Sequence, residues 1–185
     1  ERETTDVQYD VSADVKTVVV NSDDGETTVK LWDGEDVRIE ATKYAVGQTE
    51  LSDIEVVREV ANGRLDISEE RSTGPIVGDG GGGFESLTVR VPTGVQVTEL
   101  DVDDGDATVR NVSGELALSI DDGDAVIGPL EGELSVDGDD VVVTVDQADR
   151  LSAELDDGAV TMNEPAALDD VQVGDRDLDL SVRVV

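Results

Sequence analysis

Carboxylates supply nearly all of the reactive chemistry in this sequence, with 46 Asp and Glu against 13 Lys and Arg and neither His nor Cys. An all-oxygen set can bind hard cations, or act in pairs as acid and base at a glycosidic bond. Many of these acids recur as a motif: Asp-Asp-Gly stands at Asp23, Asp103, Asp121 and Asp156, and Asp137-Gly138-Asp139-Asp140 reads as a fifth copy. The last four copies begin at Asp103, Asp121, Asp137 and Asp156, spaced by 18, 16 and 19 residues. On neighbouring strands such carboxylates stack about 4.8 Å apart, and like charges that close repel by about 1 kcal/mol per pair even in water. Asp103, Asp121, Asp137 and Asp156 are therefore candidate ligands for Ca²⁺ or another hard cation, the one cofactor class the sequence suggests. A plainer reading competes. Asp and Gly are also what tight turns require, and the copies match neither the EF-hand loop nor the Gly-rich calcium nonapeptide.

A turn recurring every 16–19 residues is too frequent for a helical repeat and fits stacked strand-turn-strand coils. The segments between corners agree: Leu116, Leu118 and Ile120, then Leu134 and Val136, then Leu151, Ala153 and Leu155 alternate apolar with polar at strand period. Residues 97–185 read as regular coils, with an irregularity around Gln147-Ala148-Asp149. Residues 1–96 are the same theme interrupted, with a hairpin turning at Asn62-Gly63 and a flexible Gly-rich loop from Gly78 to Gly83. The whole of 1–185 reads as one all-β domain.

The formal charge of −33 describes a protein adapted to molar salt, where the Debye length falls to about 3 Å. It argues against nucleic acid and anionic membrane as partners, because phosphate binding needs Lys and Arg patches. No apolar run approaches the length of a membrane span. Glu1 stands where Met would begin an unprocessed chain, which predicts either an excised segment or a mature product that has lost a secretion or lipoprotein signal, with a lipid anchor upstream.

The runs VVVNSDDGETTVKLWDGEDVRIEATKYA and LTVRVPTGVQVTELDVDDGDATVRNVSGELALSIDDGDAVI, with the short coils after them, resemble the putative-adhesin family of β-strand-repeat envelope proteins, here as a haloarchaeal member. The resemblance covers nearly the whole chain and rests on structural corners. It implies a right-handed β-solenoid, exported or envelope-attached, with no catalytic residues to carry over.

Three smaller features complete the reading. Asn111-Val112-Ser113 is an N-glycosylation acceptor pattern at a turn, meaningful in an exported protein. Trp32 reads as a core or cap plug, since so few aromatics argue against a carbohydrate-binding face. Leu178, Leu180, Val182 and Val184 alternate to the last residue, and a solenoid ends in open strand edges, so these are candidate self-association residues that would join copies into filaments. The expected protein is a non-enzymatic, extracellular or cell-surface structural or adhesin-like molecule of a halophile. An envelope-associated sensor or binding module is the alternative. A carboxylate-dependent polysaccharide-active enzyme stands further off, since no aromatic cleft would desolvate one acid of a pair.

Overall fold

Period-two alternation and β-branched side chains leave strand as the regular state open to most of this chain. The computed structural model agrees: among the described residues it is all-β, apart from one 3-10 turn at Leu51–Asp53. It describes residues 2–12, 14–72, 81–163, 167–173 and 179–182, with side chains up to residue 163. In chain order the strands are β1 (Arg2–Val11), β2 (Thr17–Asp24), β3 (Glu26–Trp32), β4 (Val37–Val46), β5 (Ile54–Ala61), β6 (Arg64–Arg71) and β7 (Gly81–Pro92). They continue as β8 (Gln96–Asp104), β9 (Ala107–Arg110), β10 (Ser113–Ile127), β11 (Leu130–Val145), β12 (Ala148–Met162), β13 (Ala167–Val173) and β14 (Asp179–Val182). All belong to one open, curled sheet.

Two lanes of parallel strands meet at the acidic corner. Before it lie β6, β2, β8 and the first halves of β10, β11 and β12; after it lie β7, β3, β9 and the second halves of the same three. Each coil lays its apolar side chains on those of the next. One inward ladder reads Val20, Leu100, Leu118, Val136, Ala153, and another Val29, Val109, Ile127, Val145, Met162. All ten are buried, and each fully buried Val, Leu or Ile contributes about 1.5–3 kcal/mol. β13 and β14 extend the two lanes by pairing with β12.

The stack does not follow the sequence. The coil β2–β3 lies between β6–β7 on one side and β8–β9 on the other, so the earliest of these coils in the chain is interior to the stack. Beyond β6–β7 the pairing turns antiparallel, through β5 on β6, β4 on β7 and β1 on β4. The hairpin predicted at Asn62-Gly63 is present, and both residues take positive φ, +54° and +80°, as a two-residue turn matching strand twist requires. Edge strands β1 and β5 approach each other, the Arg58 guanidinium lying 3.6 Å from the Tyr9 ring centroid.

Two expectations need correction. Gly81–Gly83 is not loop but the start of β7, paired with Val46, Ala45 and Tyr44; the rest of the expected Gly-rich loop, positions 78–80, lies outside the described residues. Glycine is needed in β7 for close approach, since a Cβ on Gly82 would stand 2.7 Å from the Tyr44 carbonyl oxygen. Trp32 is half-buried and outside the core; it folds over Gly34, donates its indole N–H to the Asp36 carbonyl at 3.0 Å, and carries the Arg38 guanidinium on its ring. The irregularity expected near Gln147-Ala148-Asp149 is found as a register shift, one extra residue on β11 between Leu130 and Glu133.

Candidate functional site: carboxylate ladders at the coil corner

Corner geometry follows from a glycine ladder. Gly105 and Gly123 have φ of +150° and +146°, a region that L side chains avoid. A Cβ on Gly105 would overlap the Gly25 carbonyl oxygen, and one on Gly123 that of Gly105. Glycine here permits both the bend and the close stacking of coils. The aspartates before it are thereby aligned: Asp24, Asp104, Asp122, Asp140 and Asp157 stand opposite one another from strand to strand. One residue earlier, Asp23, Asp103, Asp121, Asp139 and Asp156 form a second row.

Asp137 does not belong to that row. It lies opposite Ser119 and Glu154, and the coil spacings at the corner are 18, 18 and 17 residues, with Asp139 in the place expected of Asp137. In β11 the motif is inverted. Where β8, β10 and β12 read apolar-Asp-Asp-Gly, and β2 has the buried Ser22 in the apolar place, this one reads Gly138-Asp139-Asp140-Val141, with Gly138 in the inward ladder opposite Ile120 and Leu155, and Val141 opposite Gly123 and Gly158. The exchange conserves volume, because the Val141 side chain occupies the space beside Gly138; a Cβ there would be 2.8 Å from Val141 Cγ1.

The ladder raises its own proton affinity. Burial first, and then the charges of Asp23 and Asp121, hold Asp103 above the usual aspartate range. Desolvation and then Asp156 and Asp121 do the same to Asp139. On the neighbouring outward row, burial and then Asp103 raise Asp101. These carboxylates stand side by side and project the same way. Ca²⁺ needs six to eight oxygens converging at about 2.3–2.6 Å, and among the described residues no group of three or more acids is arranged to hold a metal ion. The rows present a continuous anionic ridge.

One end of the ridge is closed by a cation. Arg71 at the end of β6 donates to Asp24 and Glu69, 2.7 Å each, and lies 3.5 Å from Asp23. The Glu69 side chain is fully covered and also accepts the Phe84 backbone N–H at 3.3 Å. Burial is the main cause raising its pKa, and Arg71 opposes it. The sequence reading names Asp23 and Asp139 within the acidic corners but leaves them out of the ligand column, and it misses Arg71 and Glu69; an 18-residue offset applied to the second rather than the first Asp of the fifth copy would have placed Asp139.

The remaining candidates are dispersed. Asn111 is exposed at the turn between β9 and β10 with φ +56°. Leu180 and Val182 lie in β14, paired with Val160 and Met162, while Leu178 and Val184 lie outside the described residues. On the outer face of the first lane, Gln96, Thr98, Glu115, Glu133, Asp149 and Arg150 line a groove wide open to solvent, with Glu133 paired to Arg150.

No protein-family model matches the chain, and no curated protein matches it in sequence. Solved structures do match. One described as a "putative cell adhesion protein" from Clostridium sporogenes superposes with a TM-score of 0.52 at 7% identity, over 98% of this chain and 100% of that one. The chain shares its fold. A "putative adhesin" from Bacteroides fragilis is similar with a TM-score of 0.46 at 11% identity, over 98% and 96% of the two chains.

Proposed function

We propose that this is a non-enzymatic, cell-surface or extracellular protein of adhesin type, built as a right-handed β-solenoid and working in concentrated salt. The observation that carries the reading is the end-to-end likeness to a structure described as a "putative cell adhesion protein". The surface supports it. An unbroken anionic ridge above a dry Val, Leu and Ile interior makes a stiff, strongly hydrated body, suited to hold a binding face away from a cell. Export would make Asn111 available as a glycan acceptor. Among the described residues β1, β5, β13 and β14 are each paired on one side only, and end-to-end association through such edges belongs to the same proposal.

Two measurements test it. Protease added to intact producing cells should remove the protein, and purified chain immobilised on beads should attach them to cells. Protection from the protease together with no attachment would defeat the reading. Sedimentation in molar salt should show polymers; a monomer at all concentrations would remove the filament.

A further inference from the structure

Four of the chain's 13 cations stand in a single row on the outer face of the second lane. Arg38 lies opposite Arg90, Arg90 opposite Lys30, and Lys30 opposite Arg110, across β4, β7, β3 and β9. Like charges directly opposite on neighbouring strands are destabilising, so the row carries a cost. Part of it is offset internally: Arg38 pairs with Asp10 at 2.7 Å and Arg90 with Glu40 at 2.6 Å. Lys30 and Arg110 make no ion pair or side-chain hydrogen bond among the described residues, although acids outnumber cations more than threefold. Beside the cations of β7, β3 and β9, two residues back along each of these strands and so about 6.6 Å away, runs a row of half-buried hydroxyls, Thr88, Thr28 and Thr108, which ends on β4 at Glu40, the acid paired with Arg90.

We propose that this row docks a linear anionic polysaccharide, one bearing carboxylate or sulfate groups, and the proposal rests on the cell-surface reading above. The cations span four strands, about 14 Å, and two are already paired, so the row suits a polymer with about one charge per sugar. The threonine row supplies donors and acceptors for the sugar hydroxyls. Duplex nucleic acid, with a charge every ~1.7 Å, is charged far more densely than the unpaired Lys30 and Arg110, about 4.8 Å apart on adjacent strands, can neutralise. A second copy would bring the same net charge to this face, and its docking here is one of the outcomes distinguished below.

The full chain is tested on beads of polygalacturonate, dextran sulfate and neutral dextran, at about 0.2 M and about 2 M NaCl. Binding to at least one polyanion and not to neutral dextran is expected, and which polyanion binds distinguishes carboxylate from sulfate. Lys30→Glu with Arg110→Glu should weaken binding about tenfold or more, while Lys30→Arg with Arg110→Lys retains it, both variants melting cooperatively by circular dichroism. No polyanion binding by the intact chain, or equal binding by the charge-reversed variant, overturns the proposal. So does a dimer that the reversal dissociates while polymer binding is unchanged, which would assign the row to a second copy. Attachment to cells is measured separately. Attachment without polymer binding sinks the row and leaves the adhesive reading, and polymer binding without attachment does the reverse.

Discussion

Gly138 and Val141 exchange roles, and the exchange should be measurable as coupling. Val141→Gly empties space beside Gly138 and frees the backbone, costing about 2–3 kcal/mol. Gly138→Val forces a Cβ to within 2.5 Å of the Ile120 carbonyl oxygen and overpacks against Val141, a cost of about 1–3 kcal/mol. The double variant restores the order of the other coils, so its loss in denaturant melts should fall below the sum by about 1 kcal/mol or more; additive losses would mean the two sites do not share space. Protonation is a second test at this scale. Asp101, Asp103, Asp139 and Glu69 have pKa values raised on folding, so the folded chain holds protons that the unfolded chain has lost just above the ordinary 3.8–4.5. Their contribution to stability is present below that window and is lost as pH rises through the raised values. Asp10, lowered chiefly by its hydrogen bond from Arg38, acts oppositely, its contribution disappearing as pH falls. With four raised groups against one, melting temperature at fixed salt should rise as pH falls from neutrality toward the ordinary carboxylate range. A flat profile would count against the ladder's proton affinity.

Among the elements, β6 is joined to β2 by the Arg71–Asp24 ion pair and to β7 by Glu69, which accepts the Phe84 N–H; loss of Arg71 leaves Glu69 covered and charged with only that N–H. Arg71→Met should cost about 1–3 kcal/mol at pH 7, below the range for a wholly buried pair because Arg71 is partly exposed. The deficit should shrink as pH falls and Glu69 takes up a proton; a pH-independent deficit would indicate lost packing only. Strand identity, inward residues and the Asn62-Gly63 turn are legible in the sequence because side-chain period and turn chemistry are local. The fifth copy is misplaced when Asp137 is matched by motif, because the register is set by core ladders, and Gly138 carries no side chain to announce that it lies in one. The placement of β2–β3 between later coils, and the cation row that it completes, depend on pairings some 80 residues apart, such as Val18 with Val97. Nothing local signals these.

For the whole molecule, the net charge of −33 predicts that screening raises stability. Raising NaCl from about 0.1 M to about 2 M should lift the melting temperature by roughly 10 °C, the counterpart of several kcal/mol of relieved repulsion. Equal melting at both would show that the anionic ridge costs the fold nothing. The stack order carries a different consequence, for how such a chain can change its length. From β8 to β12 spatial order follows sequence, and Ser113 occupies in β10 the place that Glu131 occupies in β11. Excising residues 113–130 would therefore splice Val112 onto Glu131 as though no coil had been there, and duplicating them would add one. Removing residues 17–32 would instead tear a coil from between two neighbours. The stretch from β8 to β12 is thus a cassette array open to lengthening by tandem duplication, whereas a unit added beside β2–β3 would have to enter between strands that are not neighbours in the chain.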